Sequence, residues 1–266
     1  MEPLPSQLLT IIEANMTSEL RDLQAKLADA RQTRNELPLK CWAGVGEIRT
    51  LAPIPRPPKI ICLGLNYRDH AEEQGAKLPE VPLIFAKPPT AVIGPGQPIV
   101  IPKESEKTDY EGELAFVLSR RLKRADAAEA AQGIFGYCCM NDVTEREIQK
   151  ERVWLRSKGI DTFAPLGPWI VTGDEIADPL NLRITTKLNS RVMQASSTKN
   201  LIFTPVDIIV FITKYITLEP GDVISTGTPS GVGVFRKPPV FLKHGDVVEI
   251  TIDGVGTLSN PVVKEA

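Results

Sequence analysis

From Lys59 onward the chain breaks into short apolar runs, and this pattern limits its fold more than any other feature. The runs are KIICLGL, PLIFA, GELAFVLS, FGYCCMND, WIVTG, LRITTKL, DVISTG and DVVEITI, with turn-forming residues between them. Many such runs at short spacing predict a β-rich domain. The turn chemistry agrees: Asn189-Ser190 suits a tight hairpin, and Asp253-Gly254 suits a type I′ turn between two strands. One helix interrupts, with Thr204 as N-cap, Pro205 at its first position, and Ile208, Ile209, Ile212 and Ile216 on one face before Glu219-Pro220-Gly221 ends it.

Before these runs the pattern is different. Residues 6–34 place Ile12, Met16, Leu20, Leu23, Leu27 and Ala30 at three- and four-residue spacing, which predicts an amphipathic helix packed on something larger. The segment LAPIPRPP, Leu51 to Pro58, holds four prolines in eight residues, which fix φ and forbid regular structure. A boundary there divides a small helical segment, 1–52, from a large domain, 53–266. With 42% hydrophobic residues the 266-residue chain has ample material for a core.

Several partners are excluded by composition. The 31 basic and 33 acidic residues give a net charge of −2, and no Lys/Arg block is present to follow a nucleic-acid backbone. No stretch approaches the roughly 18 apolar residues that a membrane helix needs. Cys41, Cys62, Cys138 and Cys139 form no CxxC pair and read as free thiols in a reducing compartment. The first 20 residues contain Glu2, Glu13 and Glu19 but no Arg or Lys, unlike an export or matrix signal, so the cytoplasm is the expected location.

Four places carry residues suited to chemistry. In DYEGELAFV, strand alternation puts Glu111 and Glu113 on one face and Leu114 and Phe116 on the other. Two carboxylates so close repel each other, which raises a pKa or calls for a hard cation such as Mg²⁺ or Mn²⁺; the same pair also suits a solvated strand face. Asp142 ends the apolar run FGYCCMN, either as a third oxygen ligand or as the N-cap of the polar stretch TEREIQKE. His70 and Glu73, three apart in NYRDHAEEQG, share a helix face. They suit a base held by a carboxylate, or a surface contact. With two histidines in all and no HExxH, a His-rich zinc site is excluded. The glycines of TGTPSGVG, from Thr226 to Gly233, let backbone N–H groups approach a carboxylate or simply form a tight loop, and no GK[ST] makes it a phosphate loop. Lys158 is a cation in the loop SKGIDTFAPLGP and by itself says little.

Taken in order, CLGLNYRDHAEE, PLIFAKPP, DYEGELAFV, GYCCMNDVTEREIQ, SKGIDTFAPLGPW and ISTGTPSGVG resemble the fumarylacetoacetate hydrolase superfamily over about residues 50–262. The stretch GVGVFRKPPVFLKHGD is especially similar to the subgroup called fumarylacetoacetate hydrolase domain-containing protein 2. The resemblance implies an α+β, β-rich fold with a mixed β-roll catalytic domain, a homodimer, and a metal ion, Mg²⁺ or else Mn²⁺ or Ca²⁺, on Glu111, Glu113 and Asp142. It implies that His70 and Glu73 form a water-activating dyad on a mobile lid. Lys158 would be a further catalytic group, and Gln149, Gly227 and Thr228 would surround the substrate. One departure is Asn66, neutral where fumarylacetoacetate hydrolase itself carries a fourth acidic ligand, which argues against fumarylacetoacetate as substrate. The activity so implied acts on a small 2-oxo acid through a metal-bound enolate. Hydrolysis of the C–C bond of an acylpyruvate ranks first, and oxaloacetate tautomerisation or decarboxylation on the same site second. A non-catalytic ligand-binding protein is the reading from another class, and the intact ligand set and dyad argue against it.

Overall fold

The structure is a computed structural model that describes residues 50–151 and 153–266, together with Ile12, Asp22 and Ala25. From residue 50 the elements run β1 (Ile60–Gly64), α1 (Arg68–Gln74), β2 (Leu83–Lys87), β3 (Val92–Ile93), β4 (Ile99–Ile101), β5 (Thr108–Asp109) and β6 (Gly112–Leu118). They continue with α2 (Ala127–Gln132), β7 (Ile134–Asn141), β8 (Thr144–Glu145), α3 (Arg146–Gln149), α4 (Trp154–Lys158) and β9 (Ala164–Thr172). The last are β10 (Arg183–Leu188), β11 (Arg191–Ser197), α5 (Pro205–Thr213), β12 (Val223–Ser225), β13 (Val247–Ile252) and β14 (Gly256–Lys264). A seven-stranded mixed sheet has the order β2-β1-β12-β6-β7-β9-β3, and a five-stranded one the order β11-β10-β13-β14-β4. The β-rich, mixed-sheet architecture expected from the sequence is therefore present. No described helix is long and apolar enough to cross a membrane.

β6 shows why the large sheet sits at the centre. All seven of its residues are buried, so both faces are covered, and alternation sends its side chains into two separate cores. Leu114, Phe116 and Leu118 join Ile184, Ile250, Ile252 and Leu258 of the second sheet and Ile208, Ile209 and Ile212 of α5. Ala115 and Val117 face Cys62, Cys138, Met140 and Leu166 on the other side. Cys62, Cys138 and Cys139 are free thiols, as expected, and are buried; burial pushes the Cys139 thiol up to about 12.

Two local expectations change. α5 starts as expected, with Thr204 accepting from the Asp207 N–H and Asp207 closing the reciprocal cap, but it stops at Thr213. Ile216 lies past its end and is half-exposed. The Asn189-Ser190 turn has both residues left-handed, at φ 50° and 68°, as a type I′ hairpin needs. At Asp253-Gly254 only the glycine is left-handed, φ 74°, so that turn is not type I′. The proline-rich segment is irregular up to β1, as expected. The segment before it lies outside the described residues, except that Ile12 is helical and buried in the second core.

Candidate metal centre and active-site cavity

The register of the large sheet builds the acidic cluster. β6 pairs antiparallel with β7, with Gly112 opposite Asn141, so the residues just beyond that pair, Glu111 and Asp142, fall side by side. The Asp142 N–H donates to the Glu111 carbonyl at 2.9 Å, and Asn141 Oδ1 accepts the Glu111 N–H at 3.0 Å. Glu113 sits two residues along the strand. Oxygens of Glu111, Glu113 and Asp142 lie within 4.8 Å of one another, and all three residues are buried. The solvated-face reading of Glu111 and Glu113 is thereby overturned. So is Asp142 as a helix cap: Val143 and β8 follow it, and the cap of α3 is Glu145.

Three buried cations surround this cluster. Lys158 Nζ reaches Glu111 Oε2 at 3.0 Å and Asp142 Oδ2 at 2.6 Å, donates to Thr144 Oγ1 at 2.8 Å, and stands over the Phe85 ring. Lys87 Nζ is 2.7 Å from Asp142 Oδ1 and donates to the carbonyls of Val143, Lys158 and Phe163. Arg146 bridges Glu111 Oε1 and Asp109 Oδ2, both at 2.8 Å. Three carboxylates, Asp109, Glu111 and Asp142, thus meet three cations, and Glu113 is the carboxylate without one. Its Oε2 accepts from Ser225 Oγ and from the Gly227 N–H, while its Oε1, buried, has no partner among the described residues.

The titration of the cluster follows from this arrangement. Burial pushes the Glu111 carboxyl up, but Lys158 and Arg146 outweigh that and bring it down to about 2. Burial, then Asp142 and Glu111, push Glu113 well above the carboxylate range. Burial also draws the Lys158 ammonium down, but Asp142 and Glu111 reverse that and raise it. A cation beside Glu113 would relieve the repulsion and complete the unpartnered oxygen. Three carboxylates are hard donors of the kind Mg²⁺ and Mn²⁺ take, so these residues fit a divalent ion.

The cluster opens on a cavity of about 650 Å³ that Glu111, Arg146, Gln149, Lys158, Thr228 and His70 help to line. His70 and Glu73 form their pair on α1, His70 Nδ1 to Glu73 Oε2 at 3.0 Å, and His70 is buried rather than a surface group. The Gly231 N–H donates to the other Glu73 oxygen at 2.9 Å, and the Phe235 ring meets the imidazole edge-on. Gln149 accepts from Arg146 at 2.9 Å. Thr228 donates to the Gly112 carbonyl at 3.0 Å and accepts from Gln194 at 2.8 Å. Gly227 holds Glu113 rather than lining the cavity. Its φ of 95° turns its N–H toward that carboxylate. Asn66 is spent on backbone groups of Phe203 and Thr226.

Sequence reasoning left Lys87, Arg146, Asp109 and Gln74 without roles. Lys87 and Arg146 stand in quoted motifs, and charges at the edges of apolar runs were the available signal. Nothing local showed that both would be buried.

Comparison with known proteins agrees with this geometry. The family model described as fumarylacetoacetate (FAA) hydrolase C-terminal matches residues 59–263. Oxaloacetate tautomerase FAHD2A, mitochondrial, of Bos taurus is 46% identical over 82% of this chain and 70% of its own length. Oxaloacetate tautomerase FAHD2B, mitochondrial, of Homo sapiens is 42% identical over 93% and 79%. Among solved structures, the fumarylacetoacetate hydrolase of Exiguobacterium antarcticum superposes with TM-score 0.80 at 35% identity, covering 98% of this chain and 89% of its own. The 5-carboxymethyl-2-hydroxymuconate delta-isomerase of Mycobacterium smegmatis gives TM-score 0.74 at 46% identity, with 84% of each chain covered.

Proposed function

Because the chain belongs to the fumarylacetoacetate hydrolase family and is an enzyme of it, we propose that it is a divalent-metal-dependent oxaloacetate keto–enol tautomerase. The observation that carries this reading is the unpartnered, buried Glu113 oxygen beside Glu111 and Asp142, at a cavity whose wall also holds a carboxylate-backed histidine. Sequence reasoning ranked C–C hydrolysis first. The relatives named as oxaloacetate tautomerases, 42–48% identical, move tautomerisation ahead.

Tautomerisation needs a base at C3 of the substrate and charge stabilisation at its 2-oxo oxygen. Glu73, fixed by Gly231, accepts from Nδ1–H of His70 and so leaves the lone pair on Nε2. His70 Nε2 takes a proton from C3. The C3–H electron pair becomes the C2=C3 bond, and the carbonyl pair moves to the 2-oxo oxygen. That oxygen takes a proton from water while His70 returns its own proton to water, so the overall composition is unchanged and the base is restored. Lys158 and Arg146, both lining the cavity, place fixed positive charge in the wall where the negative oxygen develops. A divalent ion held by Glu111, Glu113 and Asp142 would supply Lewis-acid stabilisation of the same developing charge. A positioned base of this kind contributes about 10²–10⁴-fold.

Acylpyruvate hydrolysis remains the second reading, because the assembled His70–Glu73 pair also suits water activation. A homodimer, as the family resemblance implied, belongs to the same proposal, and light scattering of the purified chain checks it. The central test adds protein to oxaloacetate prepared in its enol form and follows the enol absorbance with Mg²⁺ or with EDTA, against matching blanks. Coupled pyruvate assays on oxaloacetate and acetylpyruvate run beside it. Mg²⁺-dependent acceleration over the blank, without pyruvate release, is expected. A rate equal to the Mg²⁺ blank sinks the tautomerase reading, and pyruvate from acetylpyruvate installs the hydrolase in its place.

A further inference from the structure

The proton-accepting nitrogen of His70 has a neighbour of its own on the cavity wall. Gln74 Nε2 lies 2.6 Å from His70 Nε2, on the side of the ring opposite Glu73. Gln74 follows His70 by four residues on α1, so the two side chains stack on one helix face. With the Nδ1 proton given to Glu73, Nε2 is an acceptor, and the amide of Gln74 donates to its lone pair.

Gln74 is also placed to move. It is the last residue of α1, ahead of Gly75, whose left-handed φ of 62° closes the helix on the carbonyls of Ala71 and Glu72. The side chain lies on an exposed residue that also lines the cavity. A carboxamide has a donor and an acceptor on one planar end, and a half-turn exchanges them without moving the backbone. As N–H it caps the neutral imidazole. As C=O it accepts from Nε2–H once the ring has taken a proton. Glu73 cannot do both, because a carboxylate only accepts.

We infer that Gln74 is a positioning residue of the reaction: its amide holds the His70 ring in line in both proton states and keeps solvent off Nε2 until substrate displaces it. The inference rests on the reading of His70 as the group that moves the proton. A leucine or methionine at this position would fill the same space and orient the ring in neither state.

The chain's two histidines make the test simple. Imidazole ¹⁵N spectra of the full chain contain His70 and, as an internal reference, the exposed His244. In Gln74→Met the Nε2 resonance of His70 should move downfield as its hydrogen bond is lost, while those of His244 stay in place. Turnover of enol oxaloacetate with Mg²⁺ should fall about tenfold in kcat, the equivalent of one hydrogen bond, with KM nearly unchanged. Glu72→Gln, a neighbouring exposed change, should alter neither. Unmoved His70 resonances in Gln74→Met, or moved resonances with kcat intact, overturn the inference while the tautomerase reading stands. A wild-type protein inactive on oxaloacetate instead brings down the reaction itself, a failure recognisable without any variant.

Discussion

Replacing Glu113 by Gln should make the metal-free protein more stable and the metal-loaded protein impossible to form. Glu113 is buried and no cation contacts it, and Asp142 and Glu111 stand within 4.8 Å. A lone carboxylate in such a place costs several kcal/mol if it ionises, or must hold a proton instead. Gln keeps the shape and the acceptor that Ser225 and Gly227 use, and turns its NH₂ toward the two remaining carboxylates. Setting the relieved repulsion against some loss of acceptor strength gives a gain of about 1–3 kcal/mol. At about 2–4 °C per kcal/mol for a chain of this size, the Tm in EDTA should rise by roughly 2–12 °C.

With Mg²⁺ the order should reverse. Ligand that binds only the folded state stabilises by RT ln(1 + [L]/Kd), about 2.7 kcal/mol at a hundredfold excess over Kd. Wild type should show that rise in a melting experiment, and Glu113→Gln should show none. A variant that melts below wild type in EDTA would mean that Glu113 is already compensated in the metal-free protein. A variant that keeps the Mg²⁺ shift would remove Glu113 from the ligand set.

Two further substitutions probe the frame of the site. Asp109→Asn removes the charge that meets Arg146 Nε and Nη2 at 2.8 Å and accepts the N–H groups of Gly233 and Val234; it should cost about 3–5 kcal/mol, read as a lowered urea midpoint. Gly227→Ala must hold φ 95° and place a Cβ 3.0 Å from that of Asn66. It should cost about 1–3 kcal/mol and, by turning the N–H away from Glu113, shrink the Mg²⁺-dependent melting shift. A full shift in that variant refutes the link between the loop and the ligand set.

The parts of this protein that were legible in its sequence are those that depend on near neighbours along the chain. Alternating apolar runs marked the strands, because a side-chain period of two decides which face is buried. The Thr204-Pro205 cap marked the start of α5, and the i,i+3 spacing placed His70 and Glu73 together. The end of α5 was less legible, since Ile216 continues the apolar spacing after the helix has stopped. The ligand set lay between these cases. Glu111 and Glu113 share a strand face by spacing alone, but Asp142 joins them only through the pairing of Gly112 with Asn141.

What the sequence determined by itself was therefore the β-rich class, the local geometry of the dyad and the shared strand face of Glu111 and Glu113. Tertiary structure alone decided whether those carboxylates are solvated or buried, and which charges meet them. Lys87 comes from β2, Lys158 from the end of α4 and Arg146 from α3, segments up to 71 residues apart, and they converge because the sheet order and the loops after β7 bring them there. Burial and long-range charge pairing are properties of that convergence, so the carboxylate left without a cation at Glu113 exists only in the folded chain.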